Sequence, residues 1–208
     1  MPLYKTLTDN NNTKVLIWKI EESFDDLFTG IELTENSLER VQGMKSDLHQ
    51  RGFLSVRHLL KEIGYTDNDL IYDEFGKPHL KDGSFISITH SFTFSGLIIS
   101  KNQEVGIDIE KRRDKILKIA HKFTPIEAYK SIANHDALVS KLTIVWGAKE
   151  SLYKIYGKKK LLFLNHMYIE DFSFETKKTS GKILYEGTTS QYDIHFLEIE
   201  DFTCVYAY

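Results

Sequence analysis

A single cysteine, Cys204, means that no internal disulfide can hold the chain together, and no CxxC or Cys/His pattern is there to take zinc. That scarcity points to a reducing compartment. Equally missing is any apolar run near the ~20 residues of a membrane span, and the opening MPLYKTLTDNNNTK has no apolar core of signal-peptide length. The expectation is a cytoplasmic protein without a membrane partner. A formal net charge of -3 leaves no dominant basic surface, so nucleic acid is not expected as a partner. The clusters Lys111, Arg112, Arg113 and Lys158, Lys159, Lys160 read first as solvated faces. No low-complexity linker divides the chain. What is present is 208 residues with 41% hydrophobic side chains, enough to bury a core as one large domain or two small ones.

Periodicity sketches the elements. Val15 to Ile20 reads as a first strand, after a loop at Asn10, Asn11 and Asn12. Between Thr34 and Ile63, Leu38, Val41, Leu48, Val56, Leu59 and Leu60 recur at mostly helical spacing. Two or three helices follow, with Gly43 and Gly52 expected to interrupt them and Gly64 to end the run. Strand patterns at Phe85–Thr89, Phe94–Ser100 and Val105–Glu110 suggest one small antiparallel sheet. Helical pattern returns near Asp114. Thr124-Pro125-Ile126-Glu127 has the form of a capped helix start, with Thr as N-cap and Glu closing a capping box. A long helix is expected from Asp136 to Tyr156 with Gly157 as its cap, then several strands to Tyr208. Helices followed by strands occur twice, which predicts an α+β chain of two similar halves, 1–104 and 105–208, although no residue-level repeat links them.

The chemistry concentrates in two segments. In an extended Val105-Gly106-Ile107-Asp108-Ile109-Glu110, alternation puts Gly106, Asp108 and Glu110 on one face. Two adjacent carboxylates repel, and a hard cation such as Mg²⁺ relieves them; Gly106 would leave room there for a bulky ligand. Alone, the segment reads first as an ordinary strand with a wet acidic face. About forty residues later, Trp146-Gly147-Ala148-Lys149-Glu150-Ser151-Leu152-Tyr153-Lys154 places Trp146, Glu150 and Lys154 on one helical stripe at i, i+4, i+8. Alone, Glu150 and Lys154 read as a surface ion pair.

Together, these two segments closely resemble the two-part signature of 4′-phosphopantetheinyl transferases. Upstream, Phe75-Gly76-Lys77-Pro78 and Ile86-Ser87-Ile88-Thr89-His90-Ser91 resemble that family's Gly-Lys-Pro turn and Asn-Ile-Ser-His-Ser segment, in the right order. The likeness covers residues 38 to 157, and its layout resembles the larger, Sfp-type branch. That branch implies two similar halves related by a pseudo-twofold axis, a site at their interface, and a monomer. The resemblance implies that Asp108, Glu110 and Glu150 hold Mg²⁺ against the diphosphate of coenzyme A and that Lys154 adds a cation there. It further implies that Thr89, His90 and Lys77 cradle the 3′-phosphate. Arg51 and Arg57 are candidates for further phosphate contacts, with solvated helix charge as the other reading. Glu150 and Glu127 are the two candidates for the base that takes the proton of a carrier-protein serine. Ser87, Thr89 and Gly147 depart from the family's usual Asn, Ser and Ser or Thr.

Two other readings stay open at this point. One is a catalytically silent module that binds coenzyme A; the other is a different Mg²⁺-dependent phosphate or nucleotide hydrolase. The lack of a Walker-type Gly-x-x-x-x-Gly-Lys-Ser/Thr loop counts against the second.

Overall fold

The computed structural model describes residues 3–9 and 12–208. It is α+β, and its contacts divide it into two units, Met1–Glu104 and Val105–Tyr208. In the first unit, strands β1 (Leu3–Thr8) and β2 (Lys14–Lys19) are followed by helices α1 (Phe24–Phe28), α2 (Glu35–Gly43) and α3 (Asp47–Glu62). The strands β3 (Leu70–Tyr72), β4 (Pro78–Leu80), β5 (Phe85–Ser91) and β6 (Phe94–Ser100) come next. Four of them form an antiparallel sheet in the order β1-β2-β6-β5, while β3 and β4 pair by themselves. Helix α3 covers one face of the sheet, burying Leu54, Leu59 and Leu60 against Leu16, Trp18, Leu97 and Ile99.

Local chemistry accounts for the helix ends. Ser23, Thr34 and Ser46 each cap a helix with a side-chain oxygen facing a backbone N–H three residues on. Gly64, at φ +83°, closes α3: its N–H reaches Lys61 O and that of Tyr65 reaches Leu60 O, the pair of bonds that only a left-handed residue allows. Gly43 ends α2 as expected, but Gly52 does not interrupt α3. It lies buried in mid-helix beneath the ring of His90, where an added Cβ would come within 3.2 Å of the imidazole. Strand β1 escapes the sequence pattern because it is an edge strand with a bulge and mostly exposed residues. Of the expected Asn10–Asn12 loop, Asn10 and Asn11 lie outside the described residues.

The second unit runs through β7 (Gly106–Lys111), α4 (Lys115–Ile119), two short 3₁₀ turns, α5 (His135–Tyr156) and α6 (Phe163–His166). Strands β8 (Met167–Ile169), β9 (Lys178–Tyr185), β10 (Thr188–Ile199) and β11 (Phe202–Ala207) complete it. Its antiparallel sheet has the order β7-β11-β10-β9-β8. Strand β7 therefore does not extend the sheet of β5 and β6, as its spacing had suggested. Both edges of β6 are already taken, by β2 and β5, so the polar turn at 101–104 delivers β7 to β11 instead. Helix α5 starts at the N-cap Asn134, whose side chain accepts from Ala137 N at 2.9 Å, and stops at Gly157 with φ +69°. Its residues Ile144, Ala148, Leu152 and Ile155 pack onto Ile183, Ile194, Phe196, Val205 and Ala207 of the sheet.

The expected helix start at Thr124 is a 3₁₀ turn, Ile126–Tyr129. Thr124 is buried and its hydroxyl is shared with Tyr129 Oη at 3.2 Å, so it is not available as a cap. Glu127 closes no capping box. Its side chain is 74% exposed and lies 4.0 Å from Lys130.

Candidate functional site

The face of β7 that carries Gly106, Asp108 and Glu110 turns toward α5. At Gly106 the two backbones nearly touch, since a Cβ there would lie 2.0 Å from Ser151 O. The room expected at this glycine is thus filled by the helix itself, and the absent side chain serves close approach, not a ligand. Gly147 does the same from the helix side, where a Cβ would lie 2.8 Å from Val205 Cγ2 and 3.6 Å from Asp108 Oδ2. Two glycines thus seat α5 against β7 and its neighbour β11.

That seating brings the predicted stripe of α5 onto the β7 carboxylates. Lys154 Nζ donates to Asp108 Oδ1 at 2.9 Å and to Ile107 O at 2.6 Å. Trp146 Nε1 donates to Glu110 Oε1 at 3.4 Å. The Lys154 partner is therefore Asp108, and the surface ion pair with Glu150 that spacing alone allows is not formed. Asp108 is buried, and its Oδ2 is shut off from solvent.

Charge is out of balance here. Burial first, and the Asp108 charge second, push the Glu150 carboxyl up to about 7, with Lys154 offsetting part of the rise and Glu110 adding to it. Burial and then Asp108 raise Glu110 as well, against the Trp146 hydrogen bond, Lys154 and Arg113. Behind them, burial and then Asp108 drive the Cys204 thiol far up, which leaves it an unreactive core residue. A pocket of about 190 Å³ opens beside Glu110, with Lys111, Arg113, Lys115 and Trp146 in its walls.

Three carboxylates make a hard oxygen donor set of the kind Mg²⁺ takes, and a divalent cation would relieve their mutual repulsion. Their chemistry fits such an ion. Among the described residues, however, no three His, Cys, Asp or Glu side chains stand at the spacing of ligands around one centre. Lys154 supplies the positive charge at Asp108 Oδ1 instead.

A model of the 4′-phosphopantetheinyl transferase superfamily matches residues 104–207, half of the chain. The chain belongs to the 4′-phosphopantetheinyl transferase superfamily. No curated protein matches it by sequence. The matched span contains β7 and α5, and with them Asp108, Glu110, Glu150 and Lys154. Membership makes the chain a transferase of the phosphopantetheine class, with coenzyme A and a carrier protein as the partners general to the family. Among the described residues, no helix is long and apolar enough to cross a membrane.

The remaining candidate residues sit in the first unit. Thr89 is buried on β5 opposite Gly96, and the exposed His90 follows it, with its ring against Gly52 and 6.1 Å from the ring of His49. His49 was not singled out by its sequence. Its place three residues before Gly52 on α3, under a ring-accepting glycine, is the signal that marks it. Lys77 Nζ pairs with Glu104 at 3.0 Å, and Arg51 with Asp47 at 2.8 Å and with Glu22 O at 3.3 Å. Arg57 is not a solvated helix charge. It is buried, bonded to Asp67 at 2.8 Å, and stacked 3.5 Å from the centre of the Phe53 ring.

Proposed function

We propose that the protein transfers the 4′-phosphopantetheine arm of coenzyme A to a serine of an apo acyl or peptidyl carrier protein, with Mg²⁺ and with release of 3′,5′-ADP. The observation that carries this reading is the meeting of Asp108 and Glu110 of β7 with Glu150 and Lys154 of α5 inside the span matched by the family. Asp108, Glu110 and Glu150 would hold the metal, which when bound offsets negative charge building on the diphosphate.

The chain's own groups do the rest. Lys154 stands ready to pass from Asp108 to a phosphate oxygen, a charge-assisted exchange of one anion for another. The carrier serine Oγ attacks the β-phosphorus in line, the bond to the bridging oxygen breaks, and the nucleotide leaves with that electron pair. Glu150, through its metal-side position, is one candidate to accept the serine proton. Glu127 is the second candidate. Thr89, His90, Lys77 and Arg51 are assigned to the 3′-phosphate end of coenzyme A, while the burial of Arg57 argues for a structural role.

The reading includes the plan of the larger branch, with two similar halves of one chain sharing the coenzyme, and a cytoplasmic monomer. Each unit carrying an antiparallel sheet covered by a long helix supports that plan. Mixing the purified protein with coenzyme A, Mg²⁺ and an apo carrier, then weighing the carrier intact, tests it. A pantetheine-sized mass gain is expected. Nucleotide release with an unchanged carrier would make the protein a hydrolase, and coenzyme A binding with neither would make it a silent module.

A further inference from the structure

Lys149 is a buried ammonium, 3% exposed, on the helix turn that carries Glu150, yet it points away from the carboxylates. Its Nζ donates to two backbone carbonyls, Phe123 O at 2.5 Å and Phe163 O at 2.7 Å. These belong to segments remote in sequence from each other, one closing the 3₁₀ turn after α4 and the other opening α6. The side chains of the same two residues grip one ring. Phe123 meets Trp146 edge-on at 5.1 Å between centroids, and Phe163 lies tilted against it at 5.2 Å. Trp146 in turn is the residue whose indole N–H reaches Glu110.

We infer that Lys149 is a positioning residue: by pinning the carbonyls of Phe123 and Phe163 it fixes the two rings that clamp Trp146, and so holds the indole N–H on the Glu110 carboxylate. A tryptophan held by ring contacts alone can rock in its slot. A single lysine that ties down both walls removes that freedom, because each wall is then anchored at its backbone and not only by contact between rings. The long stem and single charge suit the task. Among the described residues, the hydrogen bond that reaches Glu110 comes from the Trp146 indole, so the position of that ring bears on where the carboxylate points. The consequence for catalysis rests on the transfer reading above, while the clamp itself does not.

The two tryptophans, Trp18 and Trp146, make the clamp directly visible. Protein labelled with 5-fluorotryptophan gives two ¹⁹F resonances, assigned with Trp146→Phe. In Lys149→Met, which keeps the apolar stem, the Trp146 resonance is expected to shift and broaden while that of Trp18 stays. Binding of Mn²⁺ alone, followed by electron paramagnetic resonance, weakens by about tenfold, and kcat falls by a similar factor with KM for coenzyme A unchanged. Lys149→Arg, which keeps donors to both carbonyls, recovers most of the loss. A folded Lys149→Met with an unmoved Trp146 resonance and parent-like Mn²⁺ binding overturns the inference. Should Lys149→Met fail to fold, Lys149→Gln, which keeps one donor, is read in the same way, and an unmoved Trp146 resonance in that variant overturns the inference equally. Failure of the parent protein to modify a carrier would sink the transfer reading and leave the ¹⁹F result standing, so the two failures are told apart.

Discussion

Within the first unit the principal buried charges are matched one to one: the Arg57 guanidinium bonds Asp67, and Asp67 in turn accepts from the backbone and hydroxyl of Thr34. In the second unit three mutually repelling carboxylates share the field of one ammonium, that of Lys154, which bonds only Asp108 of the three, and the nearby Lys149 spends its donors on carbonyls. Desolvation penalises both arrangements, but the first repays it internally through hydrogen bonds, whereas the second is left with surplus negative charge. A fold that needed only stability would have no use for the second. Matched burial marks a structural pair, and unmatched burial in a family-matched segment is the kind of imbalance on which the proposed function rests.

That contrast can be broken at several points. The largest effect is expected from Asp108→Ala, with carrier modification followed by intact mass falling on the order of 10⁴-fold, about 5.5 kcal/mol of barrier. Circular dichroism should still report the parent fold, and a parent-like rate would remove Asp108 from the metal role. Next comes Arg57→Met, which strands Asp67 in the core and should cost about 3–5 kcal/mol in urea unfolding, with KM for coenzyme A unchanged. A raised KM at parent stability would instead hand Arg57 to the ligand and undo the structural side of the comparison. Gly106→Ala, forcing a Cβ toward Ser151 O, is expected to lower stability by about 1–3 kcal/mol and activity with it. An unchanged unfolding midpoint would mean that α5 can back away from β7.

The smallest effect has the most telling sign. The Glu150 carboxyl sits at about 7 in the folded chain against 4.5 for an ordinary glutamate. Between those values the folded state holds a proton that the unfolded chain has lost, so this group makes stability fall as pH rises through the window. Glu150→Gln should therefore be more stable than the parent at pH 8, by about 1–2 kcal/mol once residual solvent screening is allowed for, with the difference closing near pH 4. The same variant should bind Mn²⁺ more weakly. A variant less stable than the parent at pH 8 would mean that Glu150 is not strained in the fold.

What the sequence disclosed follows from the range of the forces involved. Alternation along β7 and the stripe of α5 are fixed by backbone geometry within a few residues, so Asp108 and Glu110 could be placed on one strand face and Glu150 and Lys154 on one helical stripe, while only the family resemblance implied that the two surfaces meet. The Gly157 cap of α5 was legible for the same reason. Sheet membership was not, because β7 pairs with β11 some ninety residues on, and nothing local distinguishes that from a hairpin with β6. Gly52 and Gly106 were misread together. A glycine signals that something comes close, but not whether it is an imidazole, a helix backbone or a ligand. The burial of Arg57, read as either a phosphate contact or a solvated helix charge, was not legible because Asp67, its partner, lies in a turn beyond the end of the helix.

The contact between residue 106 and Ser151 also bears on how this site can change over evolutionary time. With main chain resting on main chain, the separation of strand and helix is not a quantity that one substitution can adjust gradually. Enlarging the gap would require simultaneous changes on both surfaces, whereas the outer walls, built from side chains, remain open to drift. Relatives of this chain should therefore differ in what surrounds the acidic centre much more than in its width.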